Sequence, residues 1–358
     1  RPVAGACVSA FMLGFFLAFT DFGIPISIAG QYEVVATELY STMMGAVPDF
    51  GRGAVVAISM MVPAVGAVAL LRWSEKLNFR STDIVRPMLM PSAARDGAFL
   101  LFYAGLAAVL LCIFAVMFIV PFVANWPYKP NFTIQHFIDI LGEDDIGGIY
   151  LRSIGVAAAS AAIGTFISFA AALIQARSKL PRVCRSAMDG LAMMTSTLPG
   201  MVIGVGFLFA FSGTILQNTI AILILANLVH FFASPYLMGT AALSRMNAGW
   251  ETTGLLMGDT WIQTIRRVVL PNARATLIEM FKLYFINSMV TISAVVFLCG
   301  TSTMLLTTKI KEFSYYERFD AIFVRSLLVV VTNVAARLIL GKWAECSRTD
   351  QKAGSTRS

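Results

Sequence analysis

The clearest pattern in this chain is a succession of long apolar runs separated by shorter polar stretches. A bilayer core of about 30 Å needs about 20 apolar residues per helix, and eight runs meet that length. The runs are continuously apolar rather than alternating, which favours helices over strands. The pattern therefore predicts an all-α, polytopic helical membrane protein with about eight transmembrane helices. These lie near residues 3–22, 54–72, 98–123, 152–175, 187–211, 216–240, 276–299 and 320–341.

The composition supports a membrane protein. Hydrophobic residues make up 58% of the 358 residues and charged residues 13%, whereas soluble domains carry about 25% charged residues. These values exclude a soluble enzyme, a disordered chain and a secreted disulfide scaffold. The five cysteines are scattered without a CxxC spacing, so neither a metal site nor a disulfide framework is expected. No cofactor is expected either.

Basic residues predict the orientation. They cluster after the second, fourth and sixth spans and after the last one. In membrane proteins, Lys and Arg are enriched in the cytoplasmic segments. Both termini and these segments are therefore predicted to be cytoplasmic. The same rule explains the net charge of +7 by a lipid bilayer rather than by nucleic acid. Representative residues of the four clusters are Arg72, Lys76, Arg177, Arg182, Arg266, Arg267, Lys342 and Arg348.

The first and seventh spans resemble each other when they are offset by 273 residues. Arg1 then falls on Arg274, and residues 16–22 fall on residues 289–295. Apolar runs also resemble one another by chance, and this alternative stays open. Internal repeats are common in transporters. A real repeat predicts the last two helices of a first, truncated unit at 1–74, a cytoplasmic linker at 75–96, a complete six-helix domain at 97–345 and a cytoplasmic tail at 346–358.

The stretch from Trp250 to Asn272 is amphipathic and follows the sixth span on the predicted cytoplasmic face. Its apolar residues have helical spacing on either side of Gly258, which predicts two short helices joined by a glycine turn. Pro271 suits the first turn of the next membrane helix. An ordinary interfacial loop is the alternative, although so apolar a surface needs something to pack on.

This stretch, at 245–271, is similar to the EAA motif of binding-protein-dependent ABC importer permeases. That motif reads Glu-Ala-Ala, three residues, Gly, nine residues and Ile-x-Leu-Pro. The glycine and the terminal apolar and proline positions match, whereas the Glu-Ala-Ala positions differ and Glu251 lies one place early. The matching residues are Gly258, Val268, Leu270 and Pro271, and the positions that differ hold Thr252, Thr253 and Gly254.

The resemblance extends to other parts of the chain. Residues 287–298 look like the helix after the EAA loop in the fused, double-permease branch, which includes ferric-iron and 2-aminoethylphosphonate importers. Residues 229–232 resemble the phosphonate members, and residues 1–72 resemble the end of a first permease half. The resemblance implies a type I, MetI-like permease fold with one complete and one truncated permease unit.

The resemblance also implies a function and partners. The chain lacks the Gly-x-x-x-x-Gly-Lys-[Ser/Thr] phosphate loop, so it is expected to be a transporter subunit and not an enzyme, with ATP hydrolysed by a separate ABC ATPase dimer. Further expected partners are a periplasmic or lipid-anchored substrate-binding protein, a second permease unit and the bilayer of a bacterial inner membrane, with no nucleic acid. The expected substrate is ferric iron, a phosphonate or a similar small anion. The residues expected to couple to the ATPase are Glu251, Thr252, Thr253, Gly258, Val268, Leu270 and Pro271.

An ion-gradient-driven secondary transporter is the alternative function. It would explain the internal repeat but not the spacing from Gly258 to Pro271. The two readings differ in whether uptake requires an ATPase.

Polar residues and helix breakers within spans are candidates for the translocation path. Helix packing is the alternative for each of them, and a hydrogen bond between helices is the alternative for His230. The candidates are Pro199, Gly200, Asn227, His230, Asn287 and Ser288. Glu279 and Lys282 are expected to neutralise each other, and Arg325 is expected to extend towards the outside. The outer stretch 124–150 is expected either to contact a binding protein or to be an ordinary solvated loop.

Overall fold

The computed structural model describes residues 2–28, 32–77, 92–126, 128–142, 145–178, 180–247, 249–315 and 318–355, and these are almost entirely helical. The elements are α1 (Pro2–Thr20), α2 (Gly23–Ile28), α3 (Val35–Met44), α4 (Phe50–Leu77), α5 (Ala93–Ile119), β1 (Val123–Asn125), β2 (Lys129–Phe132), α6 (Gln135–Leu141), α7 (Ile146–Arg177), α8 (Arg182–Thr197), α9 (Gly200–Phe211), α10 (Ile220–His230), α11 (Ala233–Arg245), α12 (Gly249–Leu256), α13 (Trp261–Thr264), a π-helical turn (Ile265–Val269), α14 (Leu270–Val290), α15 (Leu306–Tyr315) and α16 (Phe319–Ser355). Short 3-10 turns lie at Val120–Phe122 and Thr301–Thr303.

The long apolar helices confirm a helical membrane protein. Among the described residues, α4, α5, α7 and α16 are long and apolar enough to cross a bilayer, and the number rises to six if each of two bent helix pairs is one span. The remaining predicted spans are α1, whose apolar part is short, and α14, which carries charged residues in its first half. The count of eight stays a prediction.

The predicted span 187–211 is not one straight helix. It consists of α8 and α9, which meet at an angle of 106°. Leu198 between them is extended, with φ −79° and ψ 125°, because the ring of Pro199 disfavours the helical conformation of the preceding residue. The helix break expected from Pro199-Gly200 is therefore present, but it turns the chain instead of kinking a continuous span.

Two further predicted spans differ from the structure. Span 216–240 is bent by 53° between α10 and α11, where Pro235 cannot donate a backbone hydrogen bond to the carbonyl of Phe231. Span 276–299 ends as a helix at Val290, so the helix expected across 287–298 is wrong from residue 291 onwards. Residues 291–299 instead form consecutive turns, and the apolar residues Ala294 to Leu298 within them are buried.

The centre of the protein is the contact between α7 and α14. The Tyr284 ring of α14 lies against Gly164 of α7, where any side chain would come within 2.6 Å of the ring. The Tyr284 hydroxyl lies 2.9 Å from the Ser168 hydroxyl. Glycine and serine on α7 therefore allow two backbones to pack closely around one large aromatic residue, as is usual between membrane helices.

The first helices pack against the later ones through a shared core. Phe22, Leu39 and Met60 form one apolar cluster with Met201 of α9 and Phe297 of the buried turns. The order of long helix, short helix and long helix occurs twice, in α1, α3 and α4 and again in α14, α15 and α16. This order favours the internal repeat, and the division at 1–74 and 97–345 stays a prediction. Most of the linker 75–96 lies outside the described residues.

Three further predictions concern the end of the chain and the charged residues within the predicted spans. Helix α16 continues to Ser355, so the stretch predicted as a separate tail from 346 is helical as far as that residue. The ion pair between Glu279 and Lys282 is confirmed. The expected extension of Arg325 towards solvent is wrong, because the residue is only 2% exposed and its guanidinium lies 4.1 Å from the centroid of the Phe313 ring.

Candidate coupling segment and translocation path

The candidate coupling segment consists of residues 249–271, from α12 to the first turn of α14. Gly258 lies between α12 and α13 with φ +85°, a left-handed conformation that favours glycine over residues with a side chain. The turn is closed by a backbone hydrogen bond of 2.9 Å from the Asp259 N–H to the Gly254 carbonyl. The expected pair of short helices with a glycine turn is confirmed.

The two short helices are packed and capped within the segment. A Cβ atom at Gly254 would lie 2.5 Å from Oγ1 of Thr264, so any side chain at this position of α12 would displace Thr264. Thr260 and Gln263 form a reciprocal capping box at the start of α13, which satisfies two backbone donors. Arg267 donates a hydrogen bond of 2.8 Å to Asp259. The segment is therefore a folded unit and not an extended loop.

The tip of the segment is apolar and exposed. Leu255 and Leu256 end α12 and Met257 follows it, and Leu256 is 84% exposed. Trp261 and Ile262 begin α13 and are also exposed. Five exposed apolar residues on either side of one turn form a surface that needs a partner. Thr252 and Thr253, which are also predicted to couple to the ATPase, are exposed on α12.

Arg177 fastens the coupling segment to the membrane helices. It is the last residue of α7, and its side chain is only 6% exposed. Its guanidinium lies 3.3 Å from the carboxylate of Glu251 in α12. It also donates hydrogen bonds of 2.6 and 2.8 Å to the carbonyls of Leu243 and Met246. Glu251 is therefore engaged by the same chain, and one arginine joins α7, the end of α11 and α12.

The coupling segment continues into α14 without a break. The Leu270 N–H donates to the Ile265 carbonyl across the π-helical turn, directly before Pro271, which has no N–H to donate. Val269 in this turn is buried in a core cluster with residues of α7 and α11, whereas Val268 is half-buried and its carbonyl accepts a 2.8 Å hydrogen bond from Asn272. Displacement of α13 would therefore be transmitted to α14.

A half-buried carboxylate joins α8 to the same region. Asp189 accepts a hydrogen bond of 2.6 Å from the Tyr236 hydroxyl of α11 and one of 2.8 Å from the Gln175 amide of α7. Both carboxylate oxygens are therefore bound by neighbouring helices. Sequence reasoning missed Asp189, although it is the only acidic residue in the amphipathic stretch 182–197, and this isolation was an available signal.

The translocation-path candidates converge in part. Pro199 is buried and precedes α9. A Cβ atom at Gly200 would lie 2.3 Å from the Ser293 hydroxyl and 3.1 Å from Cε1 of His230. The break before α9, the end of α10 and the turns after α14 therefore meet at three small or polar residues. Ser293 lay in a stretch compared with the family, but it was not among the candidates.

The other candidates lie in the packed helices or at their edge. Asn227 is fully buried and Ser288 is 4% exposed, and their side-chain polar atoms make no hydrogen bond to other described residues. Asn287 is half-buried. The alternative for His230, a hydrogen bond to another helix, is not found at its buried Nδ1 atom within the described residues. Among all the described residues, no cluster of three or more His, Cys, Asp or Glu side chains could hold a metal ion.

A family model for the inner membrane component of binding-protein-dependent transport systems matches residues 163–342. The chain belongs to this family. The matched range runs from the middle of α7 into α16 and contains the entire coupling segment. As a member of the permease family, the protein is a component of the inner membrane.

Relatives of this permease include two ferric transport proteins. It is 20% identical over 316 residues to the putative ferric transport system permease protein FbpB 1 of Haemophilus influenzae, over 83% of this chain and 48% of the relative. It is 21% identical over 344 residues to the ferric transport system permease protein FbpB of Actinobacillus pleuropneumoniae, over 91% of this chain and 49% of the relative. The permease thus spans about half the length of these relatives.

A solved structure supports the fold of the permease. It is similar to a chain of a bacterial ABC transporter involved in the import of the acidic polysaccharide alginate, with a TM-score of 0.58 and 14% identity. The match covers 71% of this permease and 96% of the other chain. At this identity the similarity establishes the permease fold and leaves the substrate open.

Proposed function

We propose that the protein is the membrane-spanning subunit of an ABC importer, which forms the translocation path and couples it to a separate ATPase. The observation that carries this proposal is the folded coupling segment with its exposed apolar tip. Leu255, Leu256 and Met257 are exposed at one turn, and a surface of this kind fits a cleft in a cytoplasmic partner. The partner is an ABC ATPase dimer that contacts the segment through this tip.

The proposed mechanism transmits ATPase movement through fixed contacts. The coupling segment is joined to α7 and α11 by Arg177, which contacts Glu251, and to α14 by the π-helical turn. Helices α7 and α14 pack directly on each other around Tyr284. Closure of the ATPase dimer would shift these helices together and alter the junction of Gly200, His230 and Ser293. Nucleotide would thereby bias two states of the path.

The proposed substrate is ferric iron, which we favour over a phosphonate or similar small anion because both relatives are described as ferric transport permeases. A periplasmic or lipid-anchored substrate-binding protein delivers it. We further propose that residues 1–74 and 97–345 belong to two permease units joined by the linker 75–96, and that both termini are cytoplasmic.

The function is tested by reconstituting the protein with the ATPase that co-purifies from its own cells. Uptake of ferric iron into proteoliposomes should require ATP and the binding protein. Leu256→Asp should abolish co-purification of the ATPase and ATP-driven uptake, because it places a charge on the apolar tip. Ile215→Asp is the matched control, since Ile215 is 94% exposed in the turn between α9 and α10. Uptake driven by an ion gradient without the ATPase would instead favour a secondary transporter.

The translocation path is tested by the chemical accessibility of Ser293. In a background whose five native cysteines are replaced, Ser293→Cys should react with a water-soluble thiol reagent at a rate that differs between the ATP-bound and nucleotide-free complexes. Ala226→Cys is the control, because Ala226 is fully buried in an apolar cluster and should stay unreactive. Equal rates for Ser293→Cys in both nucleotide states would contradict a place in the path.

A further inference from the structure

A small structure follows α5 at the end of the molecule opposite to the coupling segment. It consists of the β1–β2 hairpin and α6, and α7 begins directly after it. Because α7 has 32 residues and helices rise about 1.5 Å per residue, about 48 Å separate its two ends. Helix α6 packs on the first turns of α16 through Ile140, which contacts the cluster of Ala321 and Val324.

The side chains of α6 fall into three sectors. Phe137 and Ile140 face the core. Gln135 and Asp139 lie on a polar side, where the amide donates a 2.7 Å hydrogen bond to the carboxylate. His136 lies next to this side and contacts the Val123 carbonyl of β1 at 3.1 Å. The core-facing sector therefore has its partners within the protein, and the polar sector is suited to water.

The third sector of α6 is apolar and exposed. Ile134, Ile138 and Leu141 are all more than half exposed, and at about 100° per residue they lie within an arc of roughly 60°. A helix in water would be expected to carry polar residues in this sector. The sector therefore calls for an apolar environment, and the described part of the chain does not cover it.

The hairpin adds exposed aromatic residues beside this sector. Trp126, Tyr128 and Phe132 are exposed, and Tyr128 is 87% exposed. The Phe132 ring stacks on Phe122 with their centroids 5.8 Å apart, and Phe122 in turn contacts Phe137 of α6 at 4.9 Å. The stacked rings hold the hairpin against α6. We name the exposed set the aromatic collar: Trp126, Tyr128, Phe132, Ile134, Ile138 and Leu141.

We propose that the aromatic collar is a lipid-binding surface that lies at the boundary between headgroups and acyl chains of the outer leaflet. It follows directly on α5, a membrane-length helix without a buried residue, so the collar continues a lipid-facing surface. It also lies at the level where α5 ends and where α7 and α16 begin. Tryptophan and tyrosine concentrate at this depth because their rings are apolar and their N–H or O–H groups remain hydrated.

Lipid fits this surface better than a protein partner does. The exposed sector of α6 adjoins its core-facing sector, and its polar sector lies on the other side, which is the arrangement of a helix lying in an interface. The proposal depends on the chain being a membrane protein with the proposed orientation, and it is independent of the substrate and of the ATPase.

The collar is tested by fluorescence quenching of Trp126 in the full chain reconstituted into bilayers. The other four tryptophans, Trp73, Trp250, Trp261 and Trp343, are replaced by Phe. Phosphatidylcholine brominated near the headgroup end of its acyl chains should quench Trp126 strongly, and iodide in solution should quench it weakly. If the quadruple replacement does not fold, the difference between the native chain and Trp126→Phe gives the same quantity.

A matched pair of substitutions tests the sector that faces lipid. Ile138→Asp should reduce bromolipid quenching of Trp126 at least roughly twofold, because it places a charge in the interface. Gln135→Lys places a charge in the polar sector, where it can pair with Asp139, and should leave quenching unchanged. Strong iodide quenching without bromolipid quenching would overturn the proposal in favour of a solvated loop. Protection from iodide that appears only with the substrate-binding protein would overturn it in favour of protein docking.

Discussion

Replacing Arg177 with Met should separate ATP hydrolysis from transport. The variant removes the cation that pairs with Glu251 at 3.3 Å and the donor to the carbonyls of Leu243 and Met246. Helix α12 of the coupling segment would then lose its polar contacts with α7 and α11. Coupling free energies are about 1–3 kcal/mol, so uptake per ATP hydrolysed should fall on the order of tenfold to a hundredfold. ATP-driven iron uptake and ATPase activity measured in the same proteoliposomes check this.

The controls distinguish positioning from general damage. Arg182→Met removes an exposed basic residue nearby and should leave uptake per ATP unchanged. Arg177→Lys keeps the charge but cannot reach the carboxylate and two carbonyls with one planar fork, so it should give an intermediate result. Glu251→Gln combined with Arg177→Met should cause less than the sum of the separate losses. Normal coupling in Arg177→Met would contradict the positioning role.

Much of the fold could be predicted from the sequence because lipid imposes a strong pattern. Continuous apolar runs require helices, since backbone groups in the bilayer must bond within one segment. Each of the eight predicted spans lies mostly on helical residues, although span 276–299 is helical only as far as Val290. Local chemistry also predicted the coupling segment, because the requirement at Gly258 is a property of a few neighbouring residues.

The remaining features depend on contacts between residues far apart in the chain. Arg177 marked only the cytoplasmic end of a span in the sequence, whereas its partner Glu251 lies 74 residues later. Hydropathy also treats 187–211 as one run, although Pro199 turns the chain by 106°. Arg325 was expected near water because a lone charge in a span is costly. Its guanidinium instead makes a cation–π contact with the ring of Phe313 in another helix.

In the candidate translocation path, too, local features could be predicted from the sequence and long-range contacts could not. Gly200 and His230 were selected because glycine breaks and polar residues are unusual within spans. Their junction with Ser293 requires the chain to leave the helical conformation after Val290, and no periodicity in the apolar run 276–299 indicates that change. Unusual residues can thus be identified from the sequence, whereas their neighbours follow from how the broken helices pack.

Replacing Gly258 with Val should also weaken coupling, but for a different physical reason. A Cβ atom at this position meets nothing within 4 Å, so the substitution removes no contact and creates no overlap. Its effect is confined to the backbone, because φ is +85° and the left-handed conformation costs an L-residue about 1–2 kcal/mol, with a β-branched side chain at the unfavourable end. The turn should open, and the apolar tip should lose its shape. Since about 1.4 kcal/mol corresponds to a tenfold change, ATPase binding and ATP-driven uptake should fall by about tenfold.

Two matched substitutions make this result specific to the coupling turn. Gly213 has φ +72° with the same open space around it, but it lies between α9 and α10. Gly213→Val therefore imposes a comparable backbone strain away from the ATPase, and it should leave ATPase binding intact. Gly258→Asn should retain most activity, because asparagine tolerates the left-handed region. If all three variants bind the ATPase equally, the glycine turn does not shape the docking surface. If Gly258→Val alone loses binding, the conformation of this one residue determines whether the tip can engage its partner.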